Sequence, residues 1–129
     1  MVVNYLGAVF IRVSNLDQSI TFYSDVLGLK LRDVEQWENG RGANYLISEH
    51  SPLLTLIETT ETITPHKHPT FNLNCDHIED LYSKLKEKEI KVGELNHWSS
   101  GTNVHIDFDV YDPDGHAINL IEWHVIENE

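Results

Sequence analysis

Two segments 62 residues apart have the same pattern, and this repeat limits the possible folds more than any other feature. The segments are residues 13–23 and 75–85. Apolar residues recur in both at the spacing of one helix face, at 16 and 78, 20 and 82, and 23 and 85. Each segment also opens with a capping residue followed three positions later by an acid, which is typical of a helix start: Ser14 with Asp17, and Asp76 with Glu79. The sequence therefore predicts a duplicated module.

Runs rich in β-branched and aromatic residues predict eight strands around two helices. The strands are expected at residues 5–13, 29–37, 43–48, 53–58, 70–75, 90–95, 104–111 and 117–125, with the helices ending at Gly28 and at about Lys88. A polar segment with two prolines, residues 59–69, links the halves. We expect one α+β domain over residues 1–129, in which two tandem βαβββ modules, at about 4–60 and 70–126, form a cleft-enclosing curved sheet.

Composition narrows the choice of partner. The formal charge of −12, with only nine lysines and arginines, argues against binding to nucleic acid or to an acidic membrane surface. No apolar run approaches the roughly 20 residues that cross a bilayer, and no signal peptide is evident. The single cysteine, Cys75, excludes an internal disulfide. A cytoplasmic protein whose partner is a small molecule or another protein is the simplest expectation.

Two motifs resemble a known superfamily. Residues 13–29 read VSNLDQSITFYSDVLGL, and residues 112–120 read DPDGHAINL. Together they resemble the first strand and helix and the closing turn and strand of the vicinal oxygen chelate superfamily, the glyoxalase / bleomycin-resistance / extradiol-dioxygenase group. The resemblance implies the glyoxalase-type fold, a ligand cleft and a homodimer.

In metal-using members, the resemblance implies four His, Glu or Gln ligands, two from the opening and two from the closing strands of the modules. The matching positions here are Ala8, Thr55, Thr70 and Asn119. Alanine has no donor atom, threonine is a poor ligand for divalent metals, and an amide is weaker than a carboxylate. We therefore expect no metal cofactor.

Strand alternation predicts which side chains face the cleft. Apolar and aromatic walls with a few hydrogen-bonding groups are typical of a small-molecule site. Arg12, at the rim, is of interest because arginine pairs with carboxylates and phosphates, although a structural ion pair is the commoner use. Trp123 fits a core position equally well. The predicted cleft residues are Phe10, Arg12, Thr55, Ile57, Thr70, Asn72, Asn119, Ile121 and Trp123.

An alternative keeps a divalent metal on displaced ligands, drawn from His68, His105, Asp107 and Glu122. His105, Asp107 and Asp109 share one strand face, which we interpret as an exposed face of an acidic protein. The loop at residues 93–103 and Trp37 are candidates to cover a ligand.

Three functions compete. The first is a metal-free small-molecule binding protein, possibly of a sequestering or resistance type. The second is a metal-dependent lyase, isomerase or dioxygenase of the same superfamily that uses the displaced ligands. The third is a vestigial cleft on a protein that acts through contact with other proteins.

Overall fold

The computed structural model describes residues 2–125, which divide into two compact units with the boundary between Thr64 and Pro65. That boundary falls inside the predicted linker. Residue 126, the predicted end of the second module, lies outside the described residues.

Unit 1 contains one four-stranded mixed sheet and one helical segment. The strand order is β1-β4-β3-β2, with β1 parallel to β4 and the other neighbours antiparallel. The elements are β1 Ala8–Val13, α1 Leu16–Thr21, a π-helical turn Phe22–Val26, β2 Lys30–Trp37, β3 Gly40–Leu46 and β4 Leu53–Glu58.

Unit 2 repeats this arrangement. The strand order is β5-β8-β7-β6, again with the first pair parallel and the others antiparallel. The elements are β5 Asn72–Asn74, α2 Ile78–Glu87, β6 Asn96–Ser100, β7 Asn103–Tyr111 and β8 Ala117–Val125.

The strand registers confirm the duplication. Phe10 lies opposite Thr55 in unit 1, and Asn72 lies opposite Asn119 in unit 2. Phe10 and Asn72 differ by the same 62 positions that separate the sequence repeats. The prediction of two βαβββ modules is therefore confirmed.

One face of each sheet packs against the helix of its own unit. In β1, Ile11 and Val13 are buried on that side, whereas Phe10 on the other face is 61% exposed. In unit 2, Tyr82 of α2 contacts Phe108 of β7 edge-on, with ring centroids 4.9 Å apart. The predicted alternation of β1 is thus observed.

The first helix ends through a widened turn. The Leu27 N–H donates to the Phe22 carbonyl at 3.1 Å, and the Leu29 N–H donates to the Tyr23 carbonyl at 3.0 Å. Gly28 between them has φ +70°, a left-handed conformation that glycine adopts without a steric penalty. The helix therefore stops where the sequence predicts.

The predicted capping residues are wrong. The N-cap of α1 is Asn15, whose side chain accepts the Gln18 N–H at 3.0 Å. The N-cap of α2 is His77, a left-handed residue without a side-chain cap bond. The first N–H of each helix is instead bound by a glutamate from a distant strand, which a local sequence pattern cannot reveal.

Several strand bounds also differ from expectation. β1 begins at Ala8, β3 begins at Gly40, and β5 contains only Asn72–Asn74, so Thr70 lies outside it. The largest error is β6, expected at residues 90–95 but formed by Asn96–Ser100 within the predicted loop. Only an isolated bridge, Val92 to Val110, remains in the expected segment.

Within residues 2–125, none of the helices is long and apolar enough to cross a membrane.

Candidate functional site

The sheet face of unit 1 that points away from its helix carries a row of linked polar side chains. Phe10, Thr55 and Asn44 are consecutive register partners, and Asp33 follows on β2. The Thr55 hydroxyl donates to Asn44 Oδ1 at 2.7 Å, and Asn44 Nδ2 donates to Asp33 Oδ1 at 2.7 Å. Thr55 and Asn44 are buried. The Asn44 hydrogen bond is the main reason that the pKa of Asp33 lies below its usual value.

A pocket of about 360 Å³ lies beside this row within unit 1. Two predicted cleft residues, Arg12 and Ile57, line it together with Trp37. Arg12 and Ile57 are register partners on β1 and β4, which places them on one face. The remaining lining residues are Asn39, Gly40, Glu58, Thr59, Thr60 and Glu61.

The Trp37 ring supplies one wall of this pocket because residue 42 is a glycine. Gly42 lies opposite Ile57 on the same sheet face. A Cβ added to Gly42 would collide with the Trp37 ring. The ring therefore occupies the space that a side chain would fill, and Trp37 remains 39% exposed.

Glu58 and Arg41 form a two-point ion pair in unit 1. Arg41 donates to both Glu58 oxygens, at 3.1 and 3.0 Å, and its Nη1 lies 3.5 Å from Asp17. Glu58 also accepts the Leu16 N–H at 2.8 Å. The hydrogen bonds from Arg41, and to a smaller extent from the Leu16 N–H, lower the pKa of Glu58. The hydrogen bonds to Glu58 and Asp17 raise the pKa of Arg41.

In unit 2, the predicted cleft residue Asn119 lies between two carboxylates. Its Nδ2 donates to Asp107 Oδ2 at 3.0 Å and to Asp109 Oδ1 at 3.1 Å. Asn119 lies opposite both Asn72 and Asp109, and Ile121 lies opposite both Asn74 and Asp107. These side chains consequently share one sheet face, which we call the unit-2 face (Asn72, Asn74, His105, Asp107, Asp109, Asn119, Ile121 and Trp123, with Trp98).

The aromatic end of the unit-2 face is a histidine between two tryptophans. His105 lies opposite Trp98 on β6 and Trp123 on β8. The Trp98 ring stands edge-on to His105, and the Trp123 centroid is 5.3 Å from it. The tryptophans are 45% and 50% exposed, whereas His105 is only 5% exposed. The interpretation of His105 as part of an exposed face was therefore wrong, since the tryptophans cover it.

The displaced-ligand residues do not converge. His105 Nε2 lies 4.0 Å from Asp107 Oδ1. Glu122 lies opposite Ile106 on the other face of the sheet, where it accepts the Ile78 N–H at 3.1 Å and contacts His124 at 3.2 Å. That Ile78 N–H is the main reason why the pKa of Glu122 is lowered. His68 is exposed in the segment before β5. Among the described residues, no three His, Cys, Asp or Glu side chains are grouped to hold a metal.

The structure brings together more of the site than sequence reasoning found. It places Phe10, Arg12, Thr55 and Ile57 on one face of unit 1, but it leaves Thr70 exposed outside the strand. Sequence reasoning missed the contributions of Asn44 and Asp33, and it placed Trp98 only in a candidate covering loop. The regular alternation of β3 and β6 was the only available signal, and it becomes informative only once the register to the neighbouring strand is known.

Comparison with known proteins gives one family. Residues 5–120 match the model of the Glyoxalase/Bleomycin resistance protein/Dioxygenase superfamily. A probable lactoylglutathione lyase from Synechocystis sp. is 34% identical in an alignment 134 positions long, and the match covers 92% of this chain and 95% of that protein. Glyoxalase I from Saccharomyces cerevisiae is 26% identical over 92% of this chain, and the match spans only 43% of the yeast protein.

Solved structures agree on the fold. A member of the same superfamily from Sphaerobacter thermophilus has a TM-score of 0.78 at 20% identity, covering 95% of this chain and 99% of that one. TnmS3, an antibiotic binding protein from Streptomyces sp., has a TM-score of 0.74 at 20% identity, covering 95% and 98%.

Proposed function

Because the chain belongs to the Glyoxalase/Bleomycin resistance protein/Dioxygenase superfamily, we propose that it binds a small molecule without using a metal ion. We also propose that this binding serves a sequestering or resistance role. The residues proposed to form the binding surfaces are Phe10, Arg12, Thr55 and Ile57 in unit 1 and Asn72, Asn119, Ile121 and Trp123 in unit 2. Thr70, exposed outside β5, is the weakest member of the predicted set.

The observation that carries this proposal is the use of Thr55 and Asn119 for internal hydrogen bonds. Both stand at positions where the family resemblance implies metal ligands. The Thr55 hydroxyl donates to Asn44, and the Asn119 amide donates to Asp107 and Asp109. Asn119 Nδ2 cannot coordinate a cation and Ala8 has no ligand atom, which leaves only two neutral oxygens, Asn119 Oδ1 and the Thr55 hydroxyl, as weak ligands. These residues do not fit a divalent metal, so no reaction step is assigned to one.

The pocket of unit 1 supports binding of an organic molecule. It joins an arginine, an indole ring and an apolar side chain, Arg12, Trp37 and Ile57, within about 360 Å³. This volume lies in the range of roughly 300–1,000 Å³ that is typical of ligand sites. Apart from Trp37 and Ile57, its lining residues are polar, charged or glycine. The antibiotic-binding Streptomyces protein has a similar fold, which is therefore compatible with this role.

A second candidate is a metal-dependent lyase, isomerase or dioxygenase. The 34% identity to a probable lactoylglutathione lyase favours it. Its ligands would come from His68, His105, Asp107 and Glu122, yet Glu122 faces the other side of the sheet from His105 and Asp107. We therefore rank it second.

Metal content and ligand-induced stabilisation decide between these functions. The tag-free protein is stripped with chelator, refilled separately with zinc, nickel, manganese and ferrous ions, dialysed, and analysed for bound metal. A panel of metabolites and drugs is then screened for thermal stabilisation with chelator present. We expect less than one metal ion per chain, and at least one compound that raises Tm by a few degrees. A ligand present well above its Kd stabilises the folded protein and therefore raises Tm.

One bound ion per chain together with chelator-sensitive ligand shifts would overturn the proposal in favour of the enzyme. Neither metal nor any ligand shift would contradict both functions and favour contact with another protein.

A homodimer in the cytoplasm completes the proposal. The dimer, though not the location, is supported by strongly exposed apolar side chains near the start of the chain, such as Val3 at 70%, Tyr5 at 82% and Leu6 at 65%. Sedimentation equilibrium tests it, and a monomer at micromolar concentration would contradict it.

A further inference from the structure

We infer that the unit-2 face binds a planar aromatic cation, with the ring on its tryptophans and the positive charge at Asp107 and Asp109. The inference rests on the proposed function because it names the ligand class for one of the proposed surfaces. It is carried by the aromatic row, by the carboxylate pair beside it, and by the spacing between them.

The aromatic row offers indole surface that is both fixed and exposed. Trp98 and Trp123 flank His105 from the two neighbouring strands and remain about half exposed. The Trp123 Nε1 donates to Asn103 Oδ1 at 3.4 Å, which helps to orient its ring. Indole is the aromatic side chain that attracts cations best, and it also stacks on planar ligands.

The buried histidine is a separate sign that this row is more than packing. His105 is 95% buried, and its Nδ1 has no hydrogen-bond partner among the described residues. Its other nitrogen, Nε2, is directed towards the carboxylates, 4.0 Å from Asp107. Buried polar atoms without partners are uncommon in folded proteins and often mark functional sites. Here the histidine connects the aromatic row to the acidic pair.

The carboxylates are concentrated on the same face. Asp107 and Asp109 are only partly exposed, and the hydrogen bonds that both receive come from the single neutral amide of Asn119. Two negative charges therefore share one neutral donor. The whole chain carries a net charge of −12, which adds a long-range attraction for cations.

The spacing selects the size of the ligand. A strand rises about 3.4 Å per residue, so Asp107 lies about 7 Å and Asp109 about 14 Å along β7 from His105. The first of these distances is close to the length of two fused aromatic rings. A ligand of that size lying on Trp123 reaches Asp107. A positive charge at its far end then approaches the carboxylate oxygens that Asn119 does not bind, Asp107 Oδ1 and Asp109 Oδ2, beside the apolar side chain of Ile121.

Three matched probes test this inference by calorimetry: 1-methylquinolinium (cation), quinoline (neutral) and quinoline-2-carboxylate (anion). We expect the cation to bind at least about tenfold more tightly than the other two. A tenfold difference in affinity matches the free energy of a cation–π and charge interaction that is partly removed from water. Its affinity should fall with added salt, whereas that of quinoline should not. Tetramethylammonium, a cation without a ring, should bind more weakly than 1-methylquinolinium.

Variants locate the site. Asp107→Asn with Asp109→Asn should weaken binding of the cation about tenfold and leave quinoline unchanged, and Trp123→Ala should weaken both. Val34→Ala, an exposed apolar position of unit 1 outside both proposed binding surfaces, is the matched control and should change neither. If the double aspartate variant does not fold, Asp109→Asn alone and the salt dependence of the intact protein decide the question.

Equal or tighter binding of quinoline or the carboxylate, or cation binding that is insensitive to salt and to the aspartate changes, would overturn the inference. So would a failure of all three probes to bind. The proposed function still stands after such results if another compound stabilises the metal-free protein. It is contradicted only if the protein binds one metal ion per chain or if no compound of the wider panel raises Tm.

Discussion

Glu58 and Glu122 perform the same task in the two modules, because each accepts the first backbone N–H of the helix in its own unit. Glu58 binds the Leu16 N–H at 2.8 Å, and Glu122 binds the Ile78 N–H at 3.1 Å. Leu16 and Ile78 are 62 positions apart, as the repeat requires. A carboxylate at a helix N-terminus satisfies a free donor and interacts favourably with the helix dipole. These two contacts tie each closing strand to its helix.

Neutralising either glutamate should destabilise the protein. Glu58→Gln weakens the Leu16 cap and removes the ion pair with Arg41, with an expected cost of about 1 kcal/mol, the usual value for a lost cap. Glu122→Gln should also lower stability, but by less, because that side chain has no arginine partner among the described residues. Urea unfolding at pH 7 measures both. Glu38→Gln in the exposed β2–β3 turn is the control, and an equal loss there would contradict the capping role.

Acid should remove the same stabilisation. The pKa values of Glu58 and Glu122 lie below the usual 4.5 in the folded protein. The unfolded chain therefore takes up protons first as pH falls, so this stabilisation is complete above about pH 4.5 and is lost as pH falls through the folded-state values. Urea midpoints measured between pH 7 and pH 3 should decline less steeply in Glu58→Gln than in the native protein. Parallel curves would show that Glu58 does not contribute.

Thr55→Val should destabilise unit 1 while keeping the shape of the side chain. The substitution deprives buried Asn44 Oδ1 of its donor, and an unsatisfied buried acceptor costs about 1–3 kcal/mol. Chemical denaturation gives the value. Thr60→Val, at an exposed position, should change stability by less than about 0.5 kcal/mol. A similar effect at both positions would mean that the Thr55 hydroxyl is not engaged as described.

Asn119→Asp should place a third carboxylate against Asp107 and Asp109. Two hydrogen bonds are lost and like charges meet, so we expect a loss of about 1–3 kcal/mol at pH 7. The pKa of the new carboxyl should be raised by its neighbours, so this loss should shrink as pH falls, opposite in sign to the glutamate effect. Asn39→Asp in unit 1 is the control. A pH-independent loss would point to a packing defect instead.

Gly42→Ala should displace the Trp37 ring. The added methyl group collides with that ring, which is partly exposed and can swing outward, so a modest destabilisation of about 1 kcal/mol is expected. In a background with Trp98→Phe and Trp123→Phe, Trp37 fluorescence should become more accessible to acrylamide. Gly7→Ala, which has open space around its Cβ and no positive φ, should change neither property. Unchanged quenching in Gly42→Ala would contradict the described position of Trp37.

Sequence patterns predicted the bounds of the helices and strands better than they predicted which residues pair with them. The helix end at Gly28 and the strands β4 and β8 matched their predicted bounds, since turn residues and alternation are local signals. β6 was misplaced because residues 96–100, apart from Trp98, are polar and form a strand through pairing with β7. The capping prediction failed for a similar reason, because the glutamates that bind the helices are 42 and 44 positions away.

The sequence by itself determined the duplication, the family resemblance and the residue types at the four expected ligand positions, since these are properties of order and composition. Only the tertiary structure decided that Thr55 donates to Asn44, that Asn119 lies between two aspartates, and that His105 is covered by two tryptophans. Those contacts depend on strand register, and a shift of one residue would turn every side chain of a strand to its opposite face. The repeat predicts two equivalent sheets, and their register gives each sheet its own chemistry.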